Sequence, residues 1–130
     1  MKTPSTPLER LHQVLRLRYG SLLDGYLLPP PSFISLQGEI LGFDEQAGTL
    51  NARYPILESQ LNPYQTLQGG FMAAAVDNTF GPLSLLVAPP NVTRRIELTY
   101  QRPATLDMGY ILARAQATPW IIDPDVEAHT

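Results

Sequence analysis

Apolar positions along this chain change their period several times, and each change marks an element. Leu8, Leu11, Leu15, Tyr19 and Leu22 recur at helical spacing, with Arg10, Arg16 and Arg18 on other faces. Thr6 and Glu9 form a capping box with Pro7 between them at the first helical position, which places the helix start at Pro7. Gly20 and Gly25 weaken the pattern near its end. Pro29-Pro30-Pro31 then imposes an extended connector, because each proline also restricts the residue before it.

From Ser32 the period shortens to two. Ile34, Leu36, Gly38 and Ile40 fall on one face and predict a strand, Asp44-Glu45-Gln46-Ala47-Gly48 a turn, and Leu50, Ala52, Tyr54 and Ile56 the returning strand of a hairpin. A loop holding Asn62-Pro63 leads to Gly69-Gly70 and a segment that is apolar nearly all round. This segment reads as a helix to about residue 86, broken by Ala88-Pro89-Pro90-Asn91. A third strand is expected where Ile96, Leu98 and Tyr100 alternate with Arg95, Glu97, Thr99 and Gln101. A fourth has Ile111, Ala113, Ala115 and Ala117 on one face and Leu112, Arg114 and Gln116 on the other. Residues 119–130 contain prolines and acids without a clear period. The order predicts an α+β layer in which an antiparallel sheet curls around the apolar helix. A helix apolar on all sides needs cover on several; one small sheet supplies part and a second subunit the rest.

The 130 residues suffice for one domain with one sizeable core, divided here into 1–31, 32–118 and 119–130. A net charge of −3 gives no electrostatic reason to expect a nucleic acid partner. The absence of cysteine removes thiolate nucleophiles, disulfides and cysteine-bound zinc, and fits a reducing, cytoplasmic setting. Residues 1–7 lack the apolar run of a secretory signal. Residues 69–88 are long enough to raise the question of a membrane span. Asp77, Asn78, Gly81 and Pro82 in their middle, with no basic flanks, favour a helix buried in a soluble protein.

Asp77 is the only ionisable side chain in 69–88, and a lone acid among apolar neighbours is costly to bury unless paired or used. The amides of Gly69 and Gly70 lie at the positive end of the helix dipole, suited to polarising a carbonyl oxygen. Asp77 lies roughly 11 Å along the axis from Gly70, too far to attack a carbonyl held by those amides. If both act on one substrate, two such helices must pack antiparallel across a two-fold axis. Gly70, Ala73, Ala74 and Gly81 share the side of Asp77 and leave room for a thin substrate arm, although close helix packing explains small residues equally well.

Asn62, Gly69-Gly70 and Asp77 at this spacing resemble the hotdog-fold acyl-CoA thioesterases of the phenylacetic-acid-degradation type. The run Val92-Thr93-Arg94-Arg95-Ile96-Glu97-Leu98-Thr99-Tyr100-Gln101-Arg102-Pro103-Ala104 is similar to their strand and following turn, and the resemblance covers 33–118. It implies a hotdog fold, hydrolysis of acyl-CoA, assembly as a homodimer or homotetramer, and no metal or cofactor. Asp77 would be the nucleophile or general base, the Gly70 amide would hold the thioester oxygen, and Gly69 would shape the turn. Asn62 would position substrate or water, and Thr93 would orient water. Arg94, Arg95 and Arg102 suit the phosphates of coenzyme A, or are solvated strand positions.

Two departures from the pattern support a rival expectation of a non-catalytic acyl-binding or structural hotdog protein. Gln68 stands where the family usually has histidine, and the family's further strand is replaced by 119–130, as in a shortened member. His12 and His129 are expected to have no catalytic role, and Ser84 lacks the second glycine of a nucleophile elbow.

Overall fold

The Thr6 hydroxyl oxygen accepts the Glu9 amide at 3.1 Å and starts α1 (Pro7–Tyr19), at the beginning of a computed structural model that describes residues 6–117. Gly20, at φ 51°, ends α1, and a 3-10 turn (Gly20–Leu23) follows. Strands β1 (Glu39–Asp44) and β2 (Thr49–Pro55) form the expected hairpin, and β3 (Tyr110–Gln116) pairs antiparallel on the other side of β2. The Asp44 carboxylate accepts the Gln46 and Ala47 amides at 2.9 and 3.1 Å, and Gly48 at φ 65° completes the turn.

Alternate residues of β2, Leu50, Ala52 and Tyr54, are buried, as is Ile56 just beyond it. Their face carries α3 (Gly69–Val87), which packs on β2 and β3. Leu11 and Leu15 of α1 join Leu50, Tyr54, Leu83 and Leu86 in a single core. Burying a leucine stabilises by roughly 1.5–3 kcal/mol, enough for these two to hold α1 against the sheet and α3. The ends of the two helices are also joined by polar contacts. The Tyr19 hydroxyl lies 2.6 Å from the Leu85 carbonyl and 2.7 Å from that of Ala88. The Arg18 guanidinium donates to the Leu86 carbonyl and pairs with Glu45 at 2.5 Å. Both serve carbonyls that a helix C-terminus leaves without amide partners.

One buried polar pair crosses the core. Thr79 donates to the Ala75 carbonyl at 2.8 Å, so the Tyr54 hydroxyl, 2.9 Å away, donates to Thr79. Burial raises the Tyr54 pKa and the bond to Thr79 offsets part of that rise.

Two strand expectations are corrected. The region expected to start a strand at Ser32 is a short helix, α2 (Pro31–Ser35), which buries Phe33 and leaves Ile34 exposed. Pro31 stands at its first position, where a missing amide costs nothing, and Gln37 at φ 55° turns the chain before β1 begins. The expected strand through Ile96, Leu98 and Tyr100 pairs with nothing among the described residues: positions 91–100 have no ladder partner, and Ile96 and Tyr100 are exposed. Alternation specifies which way side chains point, but a strand also needs a neighbour to bond to. The expectations for His129 and a shortened C-terminus lie outside the described residues.

Gly38 separates α2 from β1 under a tight ceiling. A Cβ there would lie 2.6 Å from Phe33 and 2.7 Å from Tyr54, whose rings meet edge to face with centroids 5.9 Å apart. Gly38→Ala is expected to cost about 1–3 kcal/mol in denaturant unfolding, with the transition remaining cooperative. An unaltered midpoint would mean that the ring pair yields freely.

Burial, and then the Arg16 charge, lower the His12 pKa below its ordinary 6.5. The unfolded chain therefore binds this proton more readily, so the group's contribution is fully present above pH 6.5 and is lost as pH falls through the lower folded value. His12→Gln is expected to flatten the dependence of melting temperature on pH between about 7.5 and 5 relative to the parent; parallel curves would refute it.

Candidate active site

Helix α3 starts from a well-held loop. Asn62 accepts the Tyr64 and Thr66 amides at 3.0 and 3.1 Å on Oδ1 and donates to the Thr66 hydroxyl at 2.8 Å. Its side chain therefore organises the loop 62–66 that precedes the glycine pair. The Gln68 amide donates to the Gln60 carbonyl at 2.9 Å, and the Gln68 carbonyl accepts from Phe71 and Met72. The Gln68 side chain makes no capping bond and is exposed. This pattern leaves the Gly69 and Gly70 amides without an acceptor among the described residues. Gly70 is exposed with open space around it. Gly69 has a further role that its sequence position did not signal. The Tyr100 hydroxyl donates to its carbonyl at 2.8 Å, and a Cβ on Gly69 would lie 3.2 Å from the ring, so glycine permits this approach.

Asp77 lies two turns further along and is exposed, which corrects the expectation of an acid inside a buried helix. The sheet covers one stripe of α3, formed by Ala75, Thr79, Leu83 and Leu86, and Asp77 falls on another side. Thr93 crosses back from the chain beyond α3 and donates its hydroxyl to Asp77 Oδ1 at 2.6 Å. Two residues 16 apart in sequence, both candidates on sequence grounds, thus meet in one contact. Arg94 and Arg95 are exposed on the same segment, with Arg95 paired to Glu97. Ala73 and Ala74 are half-buried; the Ala74 carbonyl accepts the Asn78 side chain at 2.9 Å, whose Oδ1 accepts from Ser32 at 3.0 Å. Within one chain, Gly70 and Asp77 remain about 11 Å apart along the helix axis.

An apolar cavity of about 250 Å³ opens beside Asp77. Its walls come from α1, the 26–30 connector, Phe33 of α2, Ile40 of β1, and the face of α3 carrying Asp77, Asn78 and Gly81. Nothing in the sequence distinguishes this cavity: Leu8, Leu11 and Leu15 read as an ordinary core face, and whether such a face closes fully or leaves a space depends on how distant elements fit. His12 lines the same cavity, with its imidazole favoured in the neutral form. Among the described residues no three His, Asp or Glu side chains gather as a metal site.

Comparison by sequence finds no matching family model and no matching curated protein. Solved structures do match. A phenylacetic acid degradation-related protein of Ralstonia eutropha JMP134, assigned as a thioesterase, is 27% identical, with 75% of each chain covered and a TM-score of 0.60. The PaaI protein from the Escherichia coli phenylacetic acid degradation operon is 17% identical, covering 79% of this chain and 70% of that one, at a TM-score of 0.61. Thioesterase superfamily member 2 from Mus musculus is 21% identical, covering 87% and 74%, at a TM-score of 0.57. The shared arrangement of an antiparallel sheet cupping one long apolar helix gives this chain the hotdog fold, similar to that of these phenylacetic-acid-degradation and thioesterase-superfamily proteins.

Proposed function

We propose that this protein hydrolyses acyl-CoA thioesters to the free acid and coenzyme A, with Asp77 as base or nucleophile. The observation that carries this reading is the Thr93–Asp77 hydrogen bond beside an apolar cavity. Donation from Thr93 occupies Oδ1 and orients the carboxylate, leaving Oδ2 to take a proton from water or to attack the carbonyl carbon itself. With water as nucleophile, its oxygen bonds to the acyl carbon as Asp77 takes the proton. The carbonyl oxygen becomes an oxyanion, and its collapse breaks the C–S bond and releases a thiolate that recovers the proton.

The unpaired Gly70 amide suits that oxyanion, with Gly69 beside it. Because the two groups stand about 11 Å apart along one helix, the amide serving a given Asp77 belongs to a second copy of the chain. The working unit is then a homodimer, alone or paired again, acting on a soluble cytoplasmic substrate. Arg94 and Arg95 lie near Thr93 and suit the coenzyme phosphates. Asn62 acts through the loop it folds, by setting where α3 begins. The rival reading, acyl binding without turnover, draws on the exposed Gln68, whose carboxamide can hydrogen-bond but not titrate. Acyl-CoA binding with no acid released in the same assay would favour it.

Asp77→Asn is expected to lower kcat for a panel of acyl-CoAs by about 10²–10⁴ without unfolding the protein. Thr93→Val is expected to cost less, roughly ten- to a hundredfold, as for a lost hydrogen bond to a charged group. Full turnover by Asp77→Asn would end the assignment.

The shared site has its own test. Gly70→Pro deletes the proposed donor in the first helical turn, where proline is tolerated. Exchange of subunits between inactive Gly70→Pro and inactive Asp77→Asn protein is expected to restore about one quarter of the parental sites, since half the dimers are mixed and each has one intact pair. No recovery after verified exchange would show that each chain works alone.

A further inference from the structure

Among the described residues several concave regions flank α3, and they differ in what they could hold. The groove between α3 and β3, about 560 Å³, includes Arg102 and Arg114 in its walls and does not reach Asp77. The hollow of about 360 Å³ beside Gly69 and Tyr100 does not reach it either. The cavity between α1 and α3 does reach it, and its wall is mainly apolar beside His12, Asn78 and Asn91: Leu11, Leu15, Leu28, Phe33 and Ile40 come from four separate parts of the chain. We infer that this cavity receives the acyl arm of the thioester and restricts it to apolar groups of about ten carbon atoms or fewer. The inference rests on the hydrolysis reading for its substrate and adds the place and size of the acyl group.

The size limit follows from volume. An apolar protein cavity of about 150 Å³ accommodates one benzene ring. At the same space per carbon, the 250 Å³ found here takes about ten carbons, as a straight chain or as a ring with a short linker. A long fatty acyl chain would exceed this volume and extend out of its mouth or press against α1. That helix is held by buried Leu11 and Leu15 and by the bonds from Tyr19 and Arg18 to the end of α3. Gly81 gives the cavity its access. It lies one helical turn beyond Asp77, lines the cavity, and has open space where a Cβ would stand. A side chain there would project into the acyl path without striking the existing packing.

The experiment is a kcat/KM series over straight acyl-CoAs from acetyl to palmitoyl, on the full chain and on Gly81→Leu. For the parent, kcat/KM is expected to rise about three- to fourfold per methylene up to octanoyl or decanoyl and to fall sharply by palmitoyl. Gly81→Leu is expected to lower the ratio of decanoyl to butyryl kcat/KM at least tenfold. Leu15→Ala, if it folds, is expected to move the optimum to longer chains. An unaltered ratio in Gly81→Leu, with Asp77→Asn still inactive, would overturn the acyl cavity and leave hydrolysis standing. If the parent hydrolyses none of the series, calorimetry with S-butyl- and S-decyl-CoA thioethers decides. Tighter binding of the decyl thioether that Gly81→Leu abolishes would support the cavity without the reaction. Equal binding of the two would overturn it.

Discussion

Covering the apolar surface of α3 is the constraint on which the rest of this structure depends. A helix of 19 residues with one charged side chain cannot stand alone in water, and the sheet buries only the stripe from Ala75 to Leu86. Helix α1 covers part of what remains and shares its core with β2. Other apolar side chains stay open, among them Phe80 on α3 and Ile96 and Tyr100 beyond it. The incomplete cover has a chemical result. A carboxylate that full burial would penalise instead sits in the open, where one hydroxyl orients it.

The two sides of α3 therefore do different work. The side against the sheet is closed by close packing, down to the Tyr54–Thr79–Ala75 hydrogen-bond chain. The side toward α1 is lined by leucines and prolines that meet imperfectly and leave a cavity ending at Asp77. Under the proposed function, acid and acyl arm belong to one chain and the oxyanion donors to its partner. Assembly would then be a condition of catalysis, because neither protomer brings all three parts together.

Local signals were legible in the sequence and distant fits were not. Thr6 and Gly20 set the limits of α1 through hydrogen bonds within one turn, Pro7 fixes its first φ, and the hairpin turn at Asp44–Gly48 follows from Asp44 and Gly48 alone. Alternation in β2 and β3 reported burial faithfully, since one face of each meets the core. Alternation misled at 32–36, where Pro31 could open a helix, and at 96–101, where no neighbour offers a ladder. At the site, Asp77 and Thr93 were individually visible, but their contact depends on how the chain returns after Ala88. Tyr100 at Gly69 and the cavity walls were invisible for the same reason: each joins residues whose proximity no local pattern encodes.

The hydroxyl of Tyr19 has a consequence beyond tidying a helix end. By reaching the carbonyls of both Leu85 and Ala88, it fastens the last turn of α1 to the last turn of α3, and those two helices are facing walls of the cavity. The two helical walls are thus tied to each other at that end. A mould tied in this way can be re-cut one side chain at a time, but at that end it has little means of adjusting itself to whichever guest arrives.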